Sequence, residues 1–202
     1  VTADTTVVPE VVDCYWVTFD SQGGEVLPSR YVDKGDTLNL SGIRPTRTGY
    51  TFKGWSETAN GNVITSVTPN SDVILYAVWT PAQVNYTVVY WGENANDTDY
   101  GTFLGSVTKK DYTGKTVTAS NSIPSSIKNR NYFKFVSSDK QEVKADGSTV
   151  VTVLCSRNEY TLTFDLGSNS KHKLTMGGKT YTGGYNVTRY FIKAKYEADI
   201  ES

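Results

Sequence analysis

The sequence predicts a mainly β protein, arranged as tandem small β modules with little helix, and three observations carry that prediction. Thr (27), Val (23) and Tyr (14) are abundant, and β-branched and aromatic side chains fit a pleated, half-buried surface better than a helix, which restricts their χ1. One alternating pentapeptide recurs as Tyr15-Trp-Val-Thr-Phe19, Tyr86-Thr-Val-Val-Tyr90 and Tyr160-Thr-Leu-Thr-Phe164, with starts 71 and 74 residues apart, and self-similarity at such spacing marks a repeat architecture. Helical signals are sparse. The best is Ser122-Ile-Pro-Ser-Ser-Ile-Lys-Asn-Arg130, where Ser122 can cap a turn or two and an early proline is tolerated.

Each pentapeptide reads as an opening strand. Period two places Tyr15, Val17 and Phe19 on one face, as it does Tyr86, Val88 and Tyr90, and Tyr160, Leu162 and Phe164. Val73-Ile-Leu-Tyr-Ala-Val-Trp79 is apolar at every position and Ser148-Thr-Val-Val-Thr-Val-Leu154 nearly so, the pattern of closing strands that are central and covered on both faces. The connections Thr80-Pro-Ala-Gln83 and Ser156-Arg-Asn-Glu159 are short, so successive modules are expected close together in a row. In the third unit Tyr190-Phe-Ile-Lys-Ala-Lys-Tyr196 reads as an early closing strand, about 30 residues after Tyr160, beyond the turn-rich stretch Met176–Gly184. So short a unit can seldom bury enough surface alone, and is expected to lean on its neighbour or to continue beyond Ser202. The divisions are a linker over 1–13 and modules over 14–80, 81–156 and 157–202.

Val17-Thr-Phe-Asp-Ser-Gln-Gly-Gly24, Pro45-Thr-Arg-Thr-Gly-Tyr-Thr-Phe-Lys-Gly-Trp55 and Leu75-Tyr-Ala-Val-Trp79 are three ordered motifs, and on them residues 15–79 resemble the Listeria–Bacteroides repeat, the internalin-B-type B repeat. The resemblance implies a β-grasp-like module, usually in tandem copies, in the extracellular regions of bacterial cell-surface proteins. Residues 84–157 are more loosely similar to mucin-binding-type β modules, through Tyr86-Thr-Val-Val-Tyr-Trp91, Tyr112-Thr-Gly-Lys-Thr-Val117 and Ala145-Asp-Gly-Ser-Thr-Val-Val-Thr-Val153. Leu154-Cys155-Ser156 stands where the aromatic ending of that family is expected. The implied role is a non-catalytic stalk, spacer or adhesion region. Physics gives the motif residues structural duties: Gly23, Gly24 and Gly49 supply backbone freedom, and Tyr50, Phe52 and Trp55 supply apolar surface.

Lys plus Arg number 20 against 21 Asp plus Glu, with no long run of either sign, so neither nucleic acid nor an anionic membrane is an expected partner. No stretch reaches the roughly 20 apolar residues of a membrane span, and the N-terminal residues lack a basic region and apolar core, so a signal or anchor is expected outside these residues. Cys14 and Cys155 are too few for a disulfide framework and are read as unpaired structural thiols, with a bridge between them as the alternative.

Catalytic constellations are missing, and neither a catalytic residue nor a cofactor is expected. His172 in Lys171-His-Lys173 has no signalled nucleophile or orienting acid. Gly114-Lys-Thr116 and Gly178-Lys-Thr180 lack the upstream glycine of a phosphate loop and read as turns. Asp20 and Asp165 have the carboxylate chemistry of a glycosidase pair, yet their equivalent positions favour equivalent turn duty. Glu93-Asn-Ala-Asn-Asp-Thr-Asp99 gathers the oxygen ligands calcium prefers, without the spacing of an EF-hand, so a solvated loop is the simpler reading and no metal site is expected. Trp16 and Trp91 are the candidate ligand-binding residues. Each lies on the opposite face of its strand from the core, where it stacks on a carbohydrate or is covered by second-face packing. The expected partners are host glycan or protein and neighbouring modules of the same chain, with the fragment itself monomeric.

Overall fold

The computed structural model describes residues 11–185 and 189–200, and these are mainly β. The first set of strands is β1 (Cys14–Asp20), β2 (Arg30–Asp33), β3 (Leu38–Asn39), β4 (Tyr50–Ser56), β5 (Ser66–Val67) and β6 (Val73–Pro81). They form a sheet of order β2-β1-β6-β4 and a small β3-β5 ladder. The second set is β7 (Gln83–Gly92), β8 (Thr102–Tyr112), β9 (Thr116–Val117), β10 (Phe133–Ser138), β11 (Gln141–Glu142) and β12 (Val150–Arg157). Its sheet has order β10-β12-β7-β8, with a β11-β9 ladder.

Numbered from its own first strand, each set has the same connectivity. The opening strand lies between the second and the last, the last also pairs with the fourth, and the third and fifth form a separate ladder. Opening and last strands run parallel in both, with Val17 opposite Val73 and Val88 opposite Val151. The fourth strand is antiparallel to the last and carries one bulge in each set, between Phe52 and Gly54 and between Phe135 and Ser137.

The predicted alternation fills both cores. Val17 and Phe19 are buried with Val32, Leu40, Trp55, Val67, Leu75 and Ala77 in the first set. Tyr86, Val88 and Tyr90 are buried in the second, as are Val117, Phe133, Val143, Val151, Val153 and Cys155. Trp55 is 1% exposed; its indole N–H donates to the Ile43 carbonyl at 2.6 Å, and its ring lies 4.8 Å from that of Phe19 and 5.4 Å from that of Phe52. Gly23 adopts a φ of 84°. Gly24 is needed for space: a Cβ there would come within 2.6 Å of the Trp79 ring, whose N–H donates to the Ser21 carbonyl at 2.9 Å.

The third set comprises β13 (Glu159–Asp165), β14 (Lys173–Met176), β15 (Lys179–Thr182) and β16 (Arg189–Lys195). β14 and β15 form a hairpin closed by Gly177 and Gly178, both at positive φ, the combination a type I′ turn demands. By contacts the chain divides into two compact units. One holds residues up to Val84 with Tyr112–Gly114 and Lys144–Gly147; the other holds the remainder, including β13–β16.

Four details differ from the sequence-based expectation. β16 is not a closing strand: it pairs antiparallel with β13, Glu159 opposite Lys195 through Asp165 opposite Arg189, whereas both closing strands run parallel to their opening partners. Alternation alone does not encode strand direction. The Ser122–Arg130 segment forms bends and turns, and a single 3-10 turn follows at Arg130–Tyr132. Pro124 has no amide to donate and Asn129 takes a left-handed φ of 57°, so helical bonding does not propagate. The strands run into the predicted connections until only Ala82 and Asn158 separate them. β6, though central, is fully covered on one face only, since Ile74 is exposed while Leu75 and Ala77 are buried.

Candidate functional surfaces

Trp16 points away from the first core because its neighbours Tyr15 and Val17 alternate inward. It is 39% exposed and sits opposite Tyr31 in the β1–β2 ladder, their ring centroids 3.5 Å apart and tilted by 33°. The Trp16 amide donates to Asp72 Oδ1 at 2.9 Å. A shallow depression beside the indole is lined by Thr18, Pro28, Ser29, Val73 and Ile74. Trp91 is half-buried on the outer face of β7, where it meets Phe103 edge-on at 5.6 Å; Phe103 is 59% exposed. The first two opening strands therefore each present an indole paired with an exposed aromatic ring of the strand that follows.

The other candidates resolve into local structure. Asp20 Oδ1 accepts the Gln22 amide and Asp165 Oδ1 accepts the Gly167 amide, the same turn two residues on in both copies. Asp165 is held below the usual carboxylate range by its hydrogen bond from Arg189. His172 is exposed, with Nδ1 2.8 Å from the Leu166 carbonyl, so that nitrogen carries the proton and donates. Gly114 and Gly178 lie in turns at positive φ. Both cysteines are free, Cys14 exposed and Cys155 buried, and burial pushes the Cys155 thiol up to about 11. In the Glu93–Asp99 loop, Asp97 accepts from Asn94 and from the Asp99 amide, which is local capping. Among the described residues no group of three or more His, Cys, Asp or Glu is placed to hold a metal ion.

Sequence reasoning missed a charged network within the second compact unit. Glu93 is buried; its carboxylate accepts the Arg157 amide at 2.9 Å and the Lys195 ammonium at 2.7 Å. Arg157, only 6% exposed, donates to the Glu93 carbonyl, the Tyr196 carbonyl and the Glu197 carboxylate, with its guanidinium 5.1 Å from the Phe133 ring. Burial pushes the Glu93 carboxyl up, but the hydrogen bonds from Lys195 and Arg157 and their charges outweigh it and hold it below its ordinary value. The Arg157 hydrogen bond does the same for Glu197. Tyr196 stacks on Tyr132 with ring centroids 4.0 Å apart and planes nearly parallel. Together these contacts tie β16 to the second set.

Register assigns Arg157 its structural counterpart. Leu75 faces Phe19 and Val153 faces Tyr90; four residues further along stand Trp79 and Arg157. Trp79 pairs with Phe52 and Arg157 with Phe133. Each donates a side-chain N–H to a carbonyl just past the opening strand, Ser21 in one and Glu93 in the other. An aromatic pair at 5.3 Å in the first set has become a cation–π pair in the second.

The family model of the Listeria-Bacteroides repeat domain matches residues 15–78. No curated protein matches the chain. This repeat is a structural, non-enzymatic module of surface and extracellular proteins, and no helix among the described residues is long and apolar enough to cross a membrane. Residues 15–78 belong to the Listeria-Bacteroides repeat family.

Proposed function

We propose that this chain is a non-catalytic tandem-repeat region of a secreted bacterial cell-surface protein, acting as a stalk or spacer. The observation that carries the reading is the shared connectivity of β1–β6 and β7–β12, since repetition of one strand-rich unit provides length without a convergent polar site. On this reading the modules are 14–80, 81–156 and 157–202 with a linker before them, and the first is β-grasp-like. The region needs no cofactor, is monomeric, and has neighbouring modules of the same chain as its main partners.

The exposed Trp16–Tyr31 pair beside its depression favours a second reading, an adhesin module that binds host glycan or protein through an aromatic face or a sheet edge. A glycan array probed with the whole chain separates the two. The spacer reading predicts blank binding. Binding lost in Trp16→Ala or Trp91→Ala, with the amide spectrum otherwise retained, would replace it with the adhesin reading.

A further inference from the structure

The two connections between consecutive sets share one bonding pattern. A single residue, Ala82 in one and Asn158 in the other, separates the last strand of a set from the next opening strand. Its N–H donates to the carbonyl of the residue just before the fourth strand, Ala82 to Gly49 at 2.9 Å and Asn158 to Tyr132 at 2.8 Å. Its own carbonyl accepts the N–H of the residue just past the following second strand, from Thr113 at 3.1 Å and from Tyr196 at 2.9 Å. Asn158 thereby extends two ladders at once, that of β10 with β12 and that of β13 with β16. The start of β1 carries the accepting half of the pattern, where the Asp13 carbonyl takes the Lys34 N–H at 2.7 Å.

The two residues that grip each connection also meet one another. Thr113 Oγ1 donates to the Gly49 carbonyl at 2.9 Å. At Asn158 the corresponding contact is aromatic, the stacked rings of Tyr132 and Tyr196. Asn158 Nδ2 adds a bond to the Asn131 carbonyl at 2.8 Å, and Arg157 donates to the Tyr196 carbonyl at 2.9 Å. One backbone arrangement is thus closed by a hydroxyl in the first case and by a ring stack in the second, so it does not depend on a particular pair of side chains.

Strand sets joined by a short polar connection move relative to one another by default. Rotation about φ or ψ of Asn158 would break a backbone bond on one side or the other, and each bond lost at a half-buried position carries a desolvation cost. We propose that Asn158 is a clamp rather than a hinge, through which β10–β12 and β13–β16, all of one compact unit, move as a single body. The inference deepens the spacer reading and rests on it for its use, since a spacer holds a fixed separation only where its connections do not bend.

Residual dipolar couplings of the intact chain test it. Couplings from β10–β12 and from β13–β16 should fit one alignment tensor, and the Asn158 amide should have an order parameter of about 0.85, that of rigid backbone. Asn158→Ala keeps both backbone bonds and should keep the common tensor. Asn158→Pro removes the donor to Tyr132 and should split the tensor while amide shifts within β1–β6 stay in place. Tyr132→Ala, which removes the stack and leaves both backbone bonds, should speed exchange of the Asn158 and Tyr196 amides by roughly tenfold; it decides the matter if proline at 158 unfolds the chain. Two tensors in the unaltered chain would overturn the clamp, as would an Asn158 order parameter below about 0.6, a proline variant that keeps one tensor, or unchanged exchange in Tyr132→Ala. Glycan binding on the array would instead sink the spacer reading and leave these couplings as they are.

Discussion

The strands that open at Tyr15 and at Tyr160 carry nearly the same alternation, yet one lies in a core and the other does not. Val17 is fully buried between β2 and β6, in the same core cluster as Trp55. Leu162, at the same place, has β16 on one edge and remains half-buried; among the described residues from Glu159 onward no hydrophobic side chain is buried. Alternation therefore specifies which face of a strand is able to be inside. Whether it is inside depends on a second layer and on the parallel partner. What holds β13–β16 in place of a core is polar: Glu93, Arg157, Lys195 and Glu197, with the Tyr132–Tyr196 stack.

That contrast makes the first set vulnerable to cavities and the third to loss of charge. Trp55→Ala should have the largest effect, about 3–5 kcal/mol for an aromatic removed from a closed core, with the amide resonances of β1–β6 collapsing in denaturant before those of β7–β12. If the two sets respond together, the separation of their cores is wrong. Glu93→Gln should cost about 2 kcal/mol through weakened charge-assisted hydrogen bonds, read as faster amide exchange in β13 and β16 with β1–β6 unchanged.

Acid should act on the same joint. Glu93 and Glu197 are held below their ordinary value of 4.5, so they bind fewer protons folded than unfolded. Their contribution is complete above the ordinary carboxylate value and is lost as pH falls below about 4.5 toward the depressed values. A pH titration followed by amide exchange should show β13–β16 loosening before β1–β6. The smallest expected change compares the first two sets. Tyr90 replaces Phe19 in the core, and its buried hydroxyl has no hydrogen-bond partner among the described residues. Tyr90→Phe should therefore stabilise by about 1 kcal/mol, visible as a higher denaturation midpoint, while Phe19→Tyr should destabilise.

Much of the architecture was legible because it is local. Tyr15, Val17 and Phe19 declare their face by period two, Asp20 and Asp165 declare their turns by spacing, and Gly23, Gly24 and Trp55 sit in short sequence motifs. The Arg157 network was not legible: Arg157 lies 64 residues from Glu93 and 40 from Glu197, Glu93 lies 102 from Lys195, and a single arginine near a strand end gives no sign of burial. The misreading of Tyr190–Tyr196 as a closing strand has a related cause. A parallel and an antiparallel strand share one alternation, and only pairing distinguishes them. Trp16 and Trp91 were placed on their outward faces by the same periodicity, but the exposed companions Tyr31 and Phe103 come from separate strands and emerge only in register.

Residue-resolved amide hydrogen exchange of the three opening strands tests the central claim most directly. From Thr87 to Gly92 β7 has β12 on one edge and β8 on the other and should be protected at successive amides. β1 meets β2 over Cys14–Val17 and β6 over Val17–Asp20 and should be protected toward each in turn. β13 should be protected only at every second amide, those facing β16. Uniform protection along β13, equal to that of β7, would contradict the account in which, among the described residues, β7 is laddered on two edges and β13 on one.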